Sequence, residues 1–231
     1  MKLALVSTFS LATLLVGCSI PTAPTAVSSM DFPVGRTGSM KVANGRNVSL
    51  GIVYSPSTQT NRAYLADYQA NAGTGFGQSL LVQPIHDAYV ATSNPNFAVD
   101  GVKAALQRQF GLVTVYPDMQ SLRAAKPDVV AVVDTHSQLM TSRSSDIKAD
   151  VSVSFYDSQL RYIATAQGHD AESLSPLWAD FKRSEEIVSD INEQQNVQVR
   201  ALKNFDQSLS NLLTRPTSNV SMIDSHTGQK L

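Results

Sequence analysis

Twelve residues in the middle of the chain, DVVAVVDTHSQL from Asp128, constrain the fold more than any other stretch. The five residues after the aspartate are all apolar, and four of them are β-branched valines. An uninterrupted apolar run of this length is typical of a strand that is buried on both faces of its sheet. The run therefore predicts a strand with other structure packed against both sides.

Strand and helix patterns alternate on both sides of this segment. From Asn47 to Ser55 apolar residues alternate with polar or small ones, which predicts a strand that stops at the following proline. From Asn94 to Phe110 apolar residues recur three and four positions apart and a glycine follows, which predicts a helix. The same reasoning predicts a strand over Leu112–Tyr116, a short helix over Asp118–Ala125, and a hairpin with strands over Val151–Phe155 and Leu160–Ala166.

An apolar stripe near the end of the chain predicts a long C-terminal helix from Glu186 to Leu213, with a break before Glu185. Leu202 lies on the apolar face of this helix, and Phe155 lies on the apolar face of the first hairpin strand. We therefore expect both side chains in the core. The stripe comprises Val188, Ile191, Gln195, Val199, Leu202, Phe205, Leu209 and Leu212.

The order of these elements predicts an α/β (α+β) fold, in which a mixed β-sheet is packed with helices and the chain ends in the long helix. We place this domain at residues 46–214. The sequence shows no internal repeat and no second domain boundary. We therefore expect a single compact domain.

The chain opens with a positive charge followed by an apolar run. Lys2 precedes Leu3–Val16, whose about 14 residues suit the core of a signal peptide, whereas a membrane span needs about 20. The run leads into LVGC at residues 15–18, which resembles the lipobox of bacterial lipoproteins. The resemblance implies that residues 1–17 are removed and that Cys18 carries a diacylglycerol on sulfur and an acyl chain on its new amine. An ordinary secretory signal followed by a chance cysteine is the alternative.

Cys18 is the single cysteine of the chain, so no internal disulfide can form. Ser19 stands where an aspartate would resemble the inner-membrane retention signal of enteric bacteria, which favours anchoring at the periplasmic face of the outer membrane. Residues 18–45 are rich in Pro, Ser, Thr and Gly and predict a lipidated flexible tether. Residues 215–231 predict a flexible tail.

The charge balance argues against two classes of partner. The chain carries 18 Lys and Arg against 19 Asp and Glu, and its net charge is −1. Proteins that bind nucleic acid or anionic lipid headgroups concentrate basic residues instead. We therefore expect no nucleic-acid partner, and contact with the membrane through the lipid on Cys18.

The element order behind a lipobox and tether resembles a small periplasmic domain of known envelope proteins. That domain is shared by the curli secretion-channel lipoprotein, the amino-terminal domain of the Tol-Pal propeller protein and the activator lipoproteins of penicillin-binding proteins. The resemblance implies an α/β domain used for contacts within the envelope. It is carried by NVSLGIVYS, FAVDGVKAALQRQFGLVTV, KPDVVAVVDTHSQL, VSVSFYDSQLRYIATAQG and ALKNFDQSLSNLL.

Three residues are candidates for a metal site. Asp134 and His136 are two positions apart on one predicted strand, so their side chains point the same way, and His169 at the end of the hairpin could complete a zinc or copper site. Polar groups that meet solvent or cap turns at strand ends are the alternative. The sequence contains no GxSxG, HExxH or phosphate-loop motif, so we expect no cofactor and no catalytic residues.

Other segments admit both a functional and a structural interpretation. The glycines of NAGTGFGQS, from Asn71, lack the lysine of a phosphate loop and predict a flexible connector. Trp178 and Phe181 are either an exposed anchor for a partner or the packed entry to the last helix. Three tyrosines serve either peptidoglycan and protein contacts or ordinary packing, namely Tyr64, Tyr68 and Tyr89.

These observations support two hypotheses from different classes. The first is a non-enzymatic envelope lipoprotein that binds another envelope protein, or a second copy of itself, through a sheet edge or the exposed side of the last helix. The second is an envelope enzyme or metal-binding protein that uses Asp134, His136 and His169.

Overall fold

A mixed sheet organises the computed structural model, which describes residues 41–71, 82–141, 144–175 and 182–214. Within these ranges the strands lie side by side in the order β2-β1-β3-β4-β5. The strands are β1 (Gly45–Tyr54), β2 (Phe110–Val115), β3 (Val129–Gln138), β4 (Asp146–Asp157) and β5 (Tyr162–Ser173). The helices are α1 (Pro56–Ala70), α2 (Gln83–Thr92), α3 (Phe97–Gln109), α4 (Met119–Ala125) and α5 (Ser184–Thr214).

The sheet is parallel in one half and antiparallel in the other. β1 pairs in parallel with both β2 and β3, whereas β3–β4 and β4–β5 are antiparallel. The predicted α/β fold with a mixed sheet and a long C-terminal helix is confirmed. Val42, which falls within the predicted tether, is buried against the core, so packed structure begins just before β1.

β3 contributes side chains to two different clusters. Ala131 and Val133 face the main core, where they join Phe155 of β4 and Phe205 of α5. Val130 and Val132 face the opposite side, where Leu122 of α4 covers them. The apolar run after Asp128 is thus buried on both faces of the sheet, as its composition predicts.

The C-terminal helix has nearly the predicted bounds, but part of the predicted stripe is wrong. Val199 is 47% exposed and Gln195 is also exposed, whereas Gln194 and Gln198 are buried. The buried face therefore includes two glutamines, which a hydrophobic pattern assigns to solvent. Leu202 is partly buried and packs against the core through Gly101, where a side chain would collide with it.

α1 and α2 are two helices that the sequence analysis did not predict. The buried positions of α1 include Thr58 and Asn61, so its inner face does not read as an apolar stripe. The start of α1 carries a clear signal, since the Ser55 hydroxyl accepts a hydrogen bond from the Thr58 N–H and a proline follows at the first turn.

Candidate functional site

The three predicted metal ligands are not gathered around one point. His136 on β3 lies opposite Asp150 on β4, and Asp150 lies opposite His169 on β5. The Nδ1 atom of His169 is 2.6 Å from Oδ1 of Asp150, so this histidine pairs with the carboxylate between the two imidazoles. Adjacent strands are about 4.8 Å apart, which separates the two histidines by two strand spacings. Among the described residues, no three His, Cys, Asp or Glu side chains are arranged to hold a metal ion.

Asp134 and His136 share one face of β3 and are both desolvated. Burial raises the pKa of Asp134, and the hydroxyls of Ser57 and Ser55 partly oppose that rise. Burial lowers the pKa of His136, which is only 8% exposed, and its Nδ1 atom has no hydrogen-bond partner. A neutral imidazole beside a carboxyl group is the chemistry on which the second hypothesis depends.

One edge of β3 is covered by side chains instead of a strand. β1 ends at Tyr54, opposite Val133, so the remainder of β3 has no strand on that side. Oγ1 of Thr58 on α1 donates to the carbonyl oxygen of Val133 at 3.0 Å and accepts from the N–H of Thr135 at 2.8 Å. Three further side chains of α1 bond the backbone that follows. The Asn61 amide donates to the carbonyl oxygen of Ser137 at 3.1 Å, and the Tyr64 hydroxyl accepts from the N–H of Leu139 at 3.1 Å. The Tyr68 hydroxyl donates to the carbonyl oxygen of Met140 at 2.6 Å.

The tyrosines that the sequence offered as partner contacts are therefore structural. Tyr64 and Tyr68 of α1 and Tyr89 of α2 all lie in a core cluster to which α5 also contributes. Burial raises the pKa of each phenol, so all three stay neutral near pH 7. They cannot contact peptidoglycan or another protein without unfolding of this region.

The outer edge of β5 is contacted in its middle part by side chains of α5. On this edge the N–H of Gln167 donates to Oγ of Ser208 at 3.1 Å, and Asn204 donates to the carbonyl oxygen of His169 at 2.9 Å. Gly168 packs so closely on α5 that a Cβ atom there would collide with the helix backbone at Ala201 and Phe205. An ion-pair cluster joins α5 to the last part of the strand, since Arg200 contacts Asp170 and Glu172 on β5 and Glu193 on α5.

The edge formed by β2 differs from both. The N–H of Tyr116, just after β2, donates to the carbonyl oxygen of Ile52 on β1 at 2.8 Å. Along a strand, backbone groups point alternately to one side and the other, so those of Val113 and Val115 point away from β1. No strand within the described ranges lies beyond β2. Leu112 is 62% exposed and Val115 is 37% exposed. The strand sequence, FGLVTV, contains no charged residue and no proline.

A crevice of about 750 Å³ lies at the carboxyl ends of β1 and β2, the end of a parallel sheet where ligands commonly bind. Its walls come from α1, from the loop before α3 and from the ends of both strands. Nε and one terminal nitrogen of Arg62 bond to Oδ1 of Asn96 at 3.1 and 2.6 Å. The lining residues are Tyr54, Gln59, Arg62, Ala63, Ala66, Pro95, Asn96, Val115, Tyr116 and Pro117.

The crevice carries a positive charge and no acidic wall. No carboxylate in the described part of the chain forms an ion pair with Arg62. Burial raises the pKa of the Tyr54 phenol, the charge of Arg62 acts in the opposite direction, and the charge of Asp100 on α3 adds to the rise. The site combines aromatic and proline walls with one guanidinium, which suits an apolar group that bears a negative charge.

Sequence reasoning did not single out Arg62, Leu112 or the crevice. The lack of charge in FGLVTV could have indicated a surface for strand pairing, because an edge strand without a partner usually carries charges or prolines. Some predicted features lie outside the described residues, namely Cys18, residues 72–79 of the glycine-rich segment, Trp178 and Phe181.

Neither a protein-family model nor a curated protein matches the sequence. Among solved structures, a single-residue variant of the PelC dodecamer from Paraburkholderia phytofirmans is similar at 14% identity and a TM-score of 0.32, covering 69% of this chain and 94% of that one. A second PelC dodecamer from the same organism is similar at 12% identity and a TM-score of 0.31, covering 71% and 93%. Similarity at this level supports no argument about the present chain. In the described ranges, no helix has the length and apolar character that crossing a membrane requires.

Proposed function

We propose that the protein is a lipoprotein, anchored through Cys18 at the periplasmic face of the outer membrane, that binds another envelope protein without catalysing a reaction. The lipobox-like LVGC sequence and the Pro- and Ser-rich segment after it support the anchor and the tether. The partner adds an extended segment to the sheet beside β2.

The uncovered edge of β2 is the observation that carries this proposal. α1 side chains cover the part of β3 that β1 does not reach, and α5 side chains bond the middle of β5. Within the described residues, the outward backbone groups of Val113 and Val115 have no such contact. An uncharged, β-prone edge invites pairing and aggregation, and proteins normally protect it. Protection by a partner strand would explain why FGLVTV carries no charge of its own.

The test is crosslinking in intact cells with two matched variants. Leu112→Lys places a charge on the β2 edge, and Val199→Lys places the same charge on an exposed apolar position of α5. We expect the first variant to lose a specific crosslinked protein that wild type and the second variant both retain. Equal capture by all three proteins would refute binding at β2.

Self-association is a separate outcome of the same experiment. Because β2 is uncharged, a second copy could pair with it without repulsion between like charges. Co-expression of two differently tagged copies distinguishes the cases. One outcome is that Leu112→Lys abolishes the recovery of one tagged copy with the other and affects no other crosslinked protein. In that case the partner is a second copy, and the proposal of a foreign protein fails.

The unpartnered Nδ1 atom of His136 supports the second candidate function, a metal-binding protein or enzyme. Metal analysis of the purified full-length protein tests it. Stoichiometric zinc or copper that is lost in His136→Ala and retained in His86→Ala would favour this function over strand addition. Metal that is substoichiometric, or equal in both variants, would exclude a metal site at His136.

A further inference from the structure

We infer that the crevice at the carboxyl ends of β1 and β2 binds the free carboxyl terminus of the segment that pairs with β2, with its carboxylate on the guanidinium of Arg62. This inference rests on the proposed strand addition and gives it a direction. It also assigns a ligand class to the crevice, namely a chain-terminal carboxylate attached to an apolar residue.

Val115 connects the two surfaces. Its backbone groups point outward from β2, and the residue also lines the crevice. A segment bonded to Val113 and Val115 therefore passes directly beside the crevice at the end of β2. A parallel segment brings its carboxyl end to that point, whereas an antiparallel segment brings its amino end.

The charge of Arg62 selects between these two directions. An amino terminus would place an ammonium group beside the guanidinium, and the two cations would repel each other. A carboxyl terminus supplies the ion pair that Arg62 lacks among the described residues, since no lining residue is acidic and the nearby Asp100 forms no salt bridge with Arg62. Electrostatics therefore favours a parallel segment that ends in the crevice.

Arg62 is held in an orientation that leaves donors for such a ligand. Its Nε atom and one terminal nitrogen bond to Oδ1 of Asn96, and the N–H of Asn96 is itself bonded to Oδ1 of Asn94. A guanidinium has five N–H donors, so the second terminal nitrogen remains for a carboxylate. An arginine fixed in this way loses less side-chain entropy when it binds.

The remaining walls indicate the type of terminal side chain. Tyr54 and Tyr116 provide aromatic rings, and Pro95 and Pro117 provide rigid apolar surface. A volume of about 750 Å³ falls in the usual range for small-ligand sites. We therefore expect a large apolar or aromatic residue at the end of the bound segment.

Fluorescence anisotropy with a matched peptide pair tests this inference. The probe is a labelled Val-Thr-Val-Thr-Val-Phe hexapeptide, made once as the free acid and once as the carboxamide, and titrated with the full-length protein in detergent. We expect the acid to bind about tenfold or more tightly than the amide, because only the acid forms charge-assisted hydrogen bonds. Arg62→Gln should abolish the preference for the acid, so that the two peptides bind with similar affinity. Arg123→Gln, an exposed arginine on α4, is the matched control and should change neither.

A third variant separates this inference from the proposed function. Val113→Pro removes an outward N–H of β2, which a proline on an edge strand can lack without loss of the sheet, as circular dichroism would verify. Loss of both peptides in Val113→Pro supports strand addition. If the acid and the amide bind equally to wild type while Val113→Pro still abolishes both, the carboxylate site is wrong and strand addition stands.

Other results also decide the matter. If Val113→Pro changes neither affinity, strand addition by this peptide is refuted, even where Arg62 still discriminates acid from amide. Failure of wild type to bind either peptide at millimolar concentration would overturn the carboxylate site. Equal weakening of both peptides by Arg62→Gln would overturn it as well.

Discussion

The hydroxyl of Thr58 on α1 accepts a hydrogen bond from the N–H of Thr135 on β3 at 2.8 Å. The same oxygen donates to the carbonyl of Val133, so one side chain replaces the backbone of a neighbouring strand at this point. Both of its partners are buried. The contact fixes α1 against the part of β3 that β1 does not reach.

Thr58→Val keeps the shape of the side chain and removes the hydroxyl, so it leaves a buried N–H and a buried carbonyl without that partner. We expect a loss of about 1–3 kcal/mol in the free energy of unfolding, measured by urea denaturation. Thr60→Val on the exposed face of α1 is the control and should cost less than about 0.5 kcal/mol. Equal costs for the two variants would show that the hydroxyl of Thr58 does not stabilise the edge.

Gln194→Leu removes a second buried polar contact. Oε1 of Gln194 accepts from the N–H of Met140 at 2.7 Å, and its Nε2 donates to Thr92 at 3.0 Å. We expect a loss of about 1–3 kcal/mol, because the leucine leaves the N–H of Met140 without this partner in the core. Gln195→Leu, one position along and exposed, should change the urea midpoint very little. A stabilised Gln194→Leu protein would contradict the contact.

Phe155→Ala and Leu202→Ala should differ in cost. Phe155 is fully buried and stacks with Phe110 at a ring-centroid distance of 6.3 Å, so its truncation should cost about 3–5 kcal/mol. Leu202 is only partly buried and should cost less, about 1–2 kcal/mol. Urea denaturation of both variants measures the difference. A larger loss at Leu202 would mean that the face of α5 toward the sheet is assigned wrongly.

His136 should make the protein less stable in mild acid. Burial lowers its pKa in the folded state, so the unfolded chain binds the proton more readily. The free energy of unfolding should therefore fall as the pH drops below about 6.5, the ordinary pKa of histidine, until the folded-state pKa is passed. His136→Asn should show a smaller fall between pH 7 and pH 5 in urea denaturation. Identical pH dependence in both proteins would show that His136 protonates as freely when folded.

Cys18→Ser should abolish membrane attachment. Without the sulfur no lipid can be added, and the acyl chains are the main source of membrane affinity in a lipid-anchored protein. Cell fractionation and labelling with radioactive palmitate measure the two effects. Unchanged labelling of the variant would refute the lipoprotein proposal.

β1 and β4 could be predicted from alternating apolar residues, β3 from its continuous apolar run, and α3 and most of α5 from apolar residues three and four positions apart. α1 was not predicted because its buried face carries Thr58, Asn61 and Tyr64, which bond the backbone of β3 and of the residues after it. Polar residues on a buried helix face give the same sequence pattern as residues on an exposed face. Gln194 and Gln198 are buried on α5, so the position of its buried face was also predicted incorrectly in that region.

The candidate site depends on pairing that a single sequence does not display. The exposure of Leu112 follows from β2 being an edge strand, and the strand order is known only once the sheet is assembled. Arg62 and Asn96 are 34 residues apart, and no local period connects them. Asp134 and His136 were correctly placed on one face of one strand, but His169 is separated from them by β4.

The coverage of β5 by α5 has a consequence for assembly. A subunit with two free edges can accept a neighbour on each side, and such chains grow into fibres. Here Ser208 and Asn204 bond backbone groups in the middle of β5, which obstructs strand addition there, whereas the described residues place no such contacts on β2. If two copies pair through β2, each copy uses the same edge, so this contact closes as a dimer. Copies crowded on a lipid surface would then not polymerise through β2.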